Sequence, residues 1–205
     1  RLFHGRGSAY PGLEHVCVDW LPPVALITLY KEADSDWIER QAQTLKEKLP
    51  GCRSVQVQFR CRPKAPTEVI QGEAIRDLEV DELGLKFHIQ LGRSQNNGLF
   101  LDMHNGRQWV RQHAAGRRAL NLFAYTCAFS VAAIDGGADF VLNVDMSKAA
   151  LRVGPAWTRT DTQARTSQRG TKRNPIRWIP RKREDAKKTT GENWRPSASG
   201  KRVAS

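Results

Sequence analysis

RRALNLFAYTCAFSVAAIDGGADFVLNVDMSK, residues Arg117 to Lys148, holds the plan of the chain. Arg117 and Arg118 lead into a short apolar run, Ala119 to Phe123, which the corner Ala124-Tyr125-Thr126-Cys127 interrupts. Phe129, Ala132 and Ala133 then recur at helical spacing until Gly136-Gly137 stops them, and a second apolar run, Phe140 to Val144, ends on Asp145. Strand, turn, helix, stop and strand within about 30 residues make one βαβ unit. Strands joined in this way are parallel neighbours with a right-handed crossover, so both carboxyl ends open on one sheet edge, where ligands bind.

The first turn is expected to offer backbone N–H groups and a helix N-terminus, with Thr126 as its cap. Asp145, at the tip of the next strand, suits the paired hydroxyls of a ribose. Dinucleotide sites place glycines in this turn so that the backbone can approach a pyrophosphate, and Ala124 to Ala128 contains none. S-adenosylmethionine has a ribose and no phosphate, so it fits a glycine-free turn better than a nicotinamide cofactor does. The periodicity fits an ordinary buried βαβ unit equally well.

Four blocks carry more information than the periodicity. They are Gln95-Asn96-Asn97-Gly98-Leu99-Phe100-Leu101-Asp102-Met103, Gly106-Arg107, Leu120 to Thr126, and Asn143 to Leu151. In this order they resemble the S-adenosylmethionine-dependent methyltransferases that include bacterial enzymes modifying large-subunit ribosomal RNA at cytosine C5 or guanine N7. The resemblance is read over Arg1 to about Gly154. It implies an α/β fold: a small α+β, RNA-recognition-like domain over residues 1–91, then the first part of a Rossmann-like domain over 92–154.

The resemblance also implies a cofactor site for S-adenosyl-L-methionine. Asn121, Phe123, Ala124, Tyr125 and Thr126 would form its loop, Asp145 would hold the ribose, Met146 would lie by the adenine, and Phe100 and Asp102 would close over the pocket. Where relatives often carry Gly-Gly after the Tyr-Thr pair, this chain has Cys127-Ala128. Where they often have Arg two residues after the Asp, it has His104. Transfer to C5 would need a cysteine nucleophile, and Cys127 is expected on the cofactor side, so no catalytic residue is nominated.

In the first 91 residues, Val24 to Tyr30 reads as an apolar strand. Asp34-Ser35-Asp36 can cap a helix that carries Ile38, Ala42, Leu45 and Leu49 on one face before Pro50-Gly51 ends it. Val55, Val57 and Phe59 alternate as a strand, and Leu78 to Leu91 reads as a hairpin turning at Glu82-Leu83-Gly84. Arg53, Arg60, Arg62 and Lys64 cluster near Phe59, which allows either an RNA-binding patch or a solvated edge with Phe59 in the core. Asn105 to Ala115 has helical spacing. The five histidines and four cysteines show no metal-ligand pattern, so no metal is expected.

The formal net charge of +12 suggests a polyanionic partner such as RNA. It is uneven: residues 151–205 hold 15 Lys and Arg against 4 Asp and Glu, leaving 18 against 17 for residues 1–150. Leu, Ile, Val and Phe make only 5 of those last 55 residues, too few for a core. Residues 155–205 are therefore expected to form a basic, unstructured tail or an out-of-frame segment. In the first case Trp157, Trp178 and Trp194 among the cations could make a nonenzymatic RNA-binding arm. No apolar run reaches membrane-spanning length, so a cytoplasmic protein is expected. The start at Arg1, with Met103 and Met146 the only methionines, suggests a fragment.

Overall fold

Alternating apolar residues and one amphipathic helix build the first layer. In the computed structural model, which describes residues 1–153 and the backbone of 176–180, five strands form a sheet in the order β1-β2-β3-β4-β5. They are β1 (Phe3–His4), β2 (Val16–Leu21), β3 (Val24–Leu29), β4 (Ser54–Phe59) and β5 (Thr67–Gly72). Neighbours are antiparallel except β3 and β4, which are parallel because helix α1 (Ser35–Lys48) carries the chain back between them. The Asp34 carboxylate accepts from the Trp37 N–H at 2.9 Å and starts α1. Ile38 and Ala42 then pack on Ala25, Ile27, Leu29, Val55, Val57 and Phe59.

The hairpin falls where the alternation predicts it, as β6 (Asp77–Glu82) and β7 (Leu85–Gln90). Its two-residue turn holds Leu83 at φ 55° and Gly84 at φ 80°, the left-handed pair whose twist matches two antiparallel strands. Phe87, Ile89 and Leu91 join Leu21, Val24 and Leu26 of the first sheet in one core. Val131 and Ala132 belong to the same core, so the hairpin packs the first sheet against the βαβ unit and the core runs on across residue 91.

The βαβ unit is β8 (Arg118–Leu122), α3 (Ala128–Asp135) and β9 (Phe140–Asp145), with α2 (His104–His113) before it and α4 (Lys148–Leu151) after it. β8 and β9 are parallel, pairing Asn121 with Asn143 and Leu122 with Val144. α2 and α3 approach closely at Gly136, where a Cβ would stand 2.0 Å from the Arg111 carbonyl oxygen.

Part of the expected tail is not structureless. Strand β10 (Ile176–Pro180) pairs in parallel with β9, giving the order β10-β9-β8. A composition argument averages over the whole segment, whereas five residues need only an open strand edge to supply hydrogen bonds. The remainder of 154–205, with Trp157 and Trp194, lies outside the described residues. Among the described residues no helix is long and apolar enough to cross a membrane.

Candidate functional site

Everything at the carboxyl edge of the parallel sheet follows from a strained turn. Between β8 and α3, Phe123, Tyr125 and Cys127 have φ of 54°, 47° and 69°, a left-handed conformation that costs a residue with a Cβ roughly 1–2 kcal/mol. Hydrogen bonds hold it. The Ala124 N–H donates to the Val144 carbonyl at 3.2 Å and the Cys127 N–H to the Ala124 carbonyl at 2.6 Å. The Tyr125 N–H donates to Asp145 Oδ2 at 2.7 Å, while Asp145 Oδ1 accepts from the Ser147 N–H at 2.7 Å. One carboxylate thus clamps the turn after β8 to the turn after β9.

Thr126 does not cap α3, as its position suggested. Its buried hydroxyl donates to the Gly98 carbonyl at 2.5 Å, and the cap position falls to Cys127, whose side chain makes no capping bond. Gly98 has φ 109°, and a Cβ there would lie 3.0 Å from the His88 carbonyl oxygen, so glycine lets the 93–98 loop lie against β7. The loop, the turn and the start of α4 enclose a cavity of about 410 Å³ lined by Arg93, Asn96, Asn97, Tyr125, Thr126 and Ser147, among others.

The nine sequence-predicted cofactor residues separate into groups. Tyr125 and Thr126 line this cavity, and Ala124, 7 % exposed, backs the turn against Cys127 and Leu151. Asp145 sets the turn geometry, and Met146 beside it is 64 % exposed. Asn121 supports from behind: its amide donates to Ser130 Oγ at 2.8 Å and Asn143 Oδ1 at 3.0 Å, fastening β8, α3 and β9 together. Phe123 is 88 % exposed. Phe100 and Asp102 line a second cavity instead, in which Tyr125 also has a wall.

His104, on the first turn of α2, bonds Glu82 at 3.1 Å. Glu82 also receives Arg107, 2 % exposed, at 2.7 and 2.6 Å. Burial alone would push the Glu82 carboxyl up, but Arg107 and His104 together hold it below the usual glutamate range. The cluster ties α2 to the hairpin and so steadies the segment carrying Phe100, whose carbonyl accepts from Arg107 at 2.8 Å.

In the basic cluster near Phe59, two of the four cations are in surface ion pairs, while Arg60 turns toward Gln95 and Asn96. Phe59 is 3 % exposed and belongs to the α1 core. Arg53 pairs with Glu73, and Arg62 with Glu32 and Glu68. The cysteine accounting changes as well. Burial, then the nearby Asp145, pushes the Cys127 thiol up to about 12, which leaves it a poor nucleophile. Cys17, on β2, lines the second cavity with its sulfur 3.4 Å from His4 Nδ1. Its place in the cavity is not legible from sequence, because VCVDWL does not alternate as a half-buried strand does.

The residues present suit S-adenosylmethionine. A cavity of about 410 Å³ is within the range of small-molecule sites. Asn97 Oδ1, on its wall, is a buried acceptor with no hydrogen-bond partner among the described residues, which matches the ammonium at the amino-acid end of that cofactor. Among the described residues no group of three or more His, Cys, Asp or Glu is placed to hold a metal.

A parallel βαβ unit with a carboxylate-clamped turn and an adjoining cavity defines a nucleoside-cofactor-binding fold. Within that class the chain belongs to the S-adenosylmethionine-dependent methyltransferase family, whose model matches residues 1–170. That match continues past Gly154, to which the resemblance is read in the sequence. A ribosomal RNA large subunit methyltransferase from Deinococcus radiodurans is 27% identical over 188 residues, covering 88% of this chain and 45% of the relative. Ribosomal RNA large subunit methyltransferase I from Serratia proteamaculans is 37% identical over 97 residues, 45% of this chain and 24% of the relative. A solved structure of a protein from Streptococcus mutans, described as a SAM-dependent methyltransferase, superposes with a TM-score of 0.74 at 23% identity, covering 93% of this chain and 47% of its own. The chain spans less than half the length of each of these relatives.

Proposed function

We propose that the 410 Å³ cavity binds S-adenosylmethionine and that the chain serves methyl transfer to a base of ribosomal RNA. The observation that carries this is Asp145, which does not itself line the cavity but holds at 2.7 Å each the N–H groups of two residues that do, Tyr125 and Ser147. When bound, the cofactor supplies a methyl group already activated on a sulfonium, so the protein's part is positioning. Tyr125 and Thr126 would shape the floor, Asn97 would accept from the ammonium, and the free lone pairs of Asp145 would meet the ribose hydroxyls. The names of the ribosomal RNA methyltransferase relatives support the choice of RNA as acceptor.

By itself this chain transfers methyl groups weakly or not at all. Leu120 and Leu122 on β8 are 59 % and 55 % exposed, whereas the strands of a parallel sheet are ordinarily covered on both faces. An RNA-binding arm made only of residues 155–205 would leave the cavity and the clamp without a purpose. Isothermal titration with adenosylhomocysteine tests the proposal: the chain should give a saturable heat, and Asp145→Ala should weaken binding at least tenfold. No heat from the unmodified, folded chain would rule the cofactor reading out.

A further inference from the structure

The second cavity, of about 100 Å³, lies across the Asn96-Asn97 segment from the first and shares Tyr125 with it. Its other wall is the face of the first sheet turned away from α1. There, Asp19, Thr28 and Gln58 are all less than a tenth exposed, with Tyr30 and Arg60 beside them. A buried sheet face is ordinarily apolar, because polar groups leaving water need partners. Asp19 has Arg1, at 2.8 Å. Gln58 reaches only the Ser94 carbonyl at 3.4 Å, the outer limit of a hydrogen bond.

Arg60 is the least settled of these groups. Its Nη2 donates to the Gln95 carbonyl at 3.0 Å and to Asn96 Oδ1 at 2.9 Å, and its Nη1 to Tyr30 Oη at 3.4 Å. Nε is buried and has no hydrogen-bond partner among the described residues. Three aromatic rings line the space, those of Tyr30, Phe100 and Tyr125. Tyr30 has the Arg6 guanidinium 4.2 Å and the Arg60 guanidinium 5.8 Å from its ring centroid. Tyr125 and Phe100 are neighbours at 5.3 Å between centroids.

Aromatic rings around one unpartnered buried donor, Arg60 Nε, match a planar heterocycle with acceptors on its edge. The volume admits one ring and not a run of nucleotides. Single-stranded RNA is read in this way, with splayed bases stacked on aromatic side chains and hydrogen-bonded along their edges. We infer that this cavity takes one unpaired base of the RNA strand, with Arg60 donating to the base edge and Tyr30 and Tyr125 flanking it. The inference rests on the methyltransferase reading above. The shared Tyr125 wall places that base beside the cofactor loop, so it fixes the register of the strand at the reaction site.

Photocrosslinking tests it directly. The full chain is irradiated with single-stranded RNA dodecamers of mixed sequence carrying 5-iodouridine, and the crosslinked peptides are mapped by mass spectrometry. Crosslinks should fall on Tyr30, Tyr125 or Phe100, and Arg60→Ala should reduce them at least fivefold. Arg60→Lys keeps the charge and loses the Nε donor, so it should behave like alanine. Lysine performing as well as arginine would overturn the role of Nε.

The map on the unmodified protein does not depend on any variant folding. Crosslinks confined to other regions, residues 155–205 included, would overturn the site. Competition by free CMP or GMP as effective as that of the oligomer would overturn the RNA strand as occupant. Titration of the same preparation with adenosylhomocysteine separates the two failures. Binding of that cofactor product without crosslinks here removes this inference alone, and its failure to bind removes the methyltransferase reading as well.

Discussion

Cys127 sets two residue-scale effects against each other. Its φ of 69° is strained for any residue with a Cβ, by roughly 1–2 kcal/mol, so glycine would relieve the turn. Yet Cys127 is fully buried against Ala124 and Leu151, and removing its side chain forfeits burial worth on the order of 1 kcal/mol. The two nearly cancel. Cys127→Gly should therefore shift the thermal midpoint by no more than about 4 °C in either direction, on the usual scale of about 1 kcal/mol per 2–4 °C for a chain of this size. The same burial, helped by Asp145, raises the thiol to about 12, so in the native protein Cys127 should resist iodoacetamide at pH 8 and react only on unfolding. Rapid native labelling, followed by peptide mapping, would contradict the placement of this residue.

At the scale of elements, α2 hangs on Arg107. Its guanidinium is almost wholly buried, and removing it leaves Glu82 with the His104 contact alone among those the described residues give it here. Arg107→Ala should cost about 3–5 kcal/mol in chemical denaturation, the range for breaking a buried pair from one side. Acid should have a similar but smaller effect. The Glu82 carboxyl titrates below the ordinary glutamate value near 4.5 when folded, so its contribution is present above that value and is lost as pH falls through the lower folded one. An Arg107→Ala chain should show a shallower loss of stability below pH 4.5 than the parent; equal slopes would mean that the pair is not what titrates.

Elements with strong period were legible from sequence: β3, α1, β4, the hairpin, β8, α3 and β9 all fall where spacing placed them. β2 was not, because its residues are buried or half-buried on both faces and it carries Asp19, which pairing with Arg1 explains. Nor was β5, a largely exposed edge strand without alternation. The Asp145 position was legible, but its clamp on two backbone N–H groups was not. The second cavity was invisible, since it draws on residues from Arg1 to Tyr125 that only the tertiary fold assembles.

Over the whole molecule, two long-range properties oppose each other. A net charge of +12 keeps copies of the chain apart. Leu120 and Leu122, on one face of β8, together with Phe123 at 88 % exposure, form an apolar surface that draws them together. Charge repulsion acts over a Debye length of about 10 Å at 0.1 M salt and about 3 Å at 1 M, whereas contact between apolar faces is unscreened. Self-association should accordingly increase with sodium chloride between these concentrations, the reverse of what an ion-pair interface would show. Replacing Leu120 and Leu122 by threonine keeps the β propensity and removes the apolar surface, at a cost of about 0.5 kcal/mol or less per exposed site. Sedimentation velocity should then find the double variant monomeric at both salt concentrations with an unchanged thermal midpoint. A variant that still associates at high salt would locate the attraction elsewhere, and one that melts early would show that the two leucines are covered in the native protein.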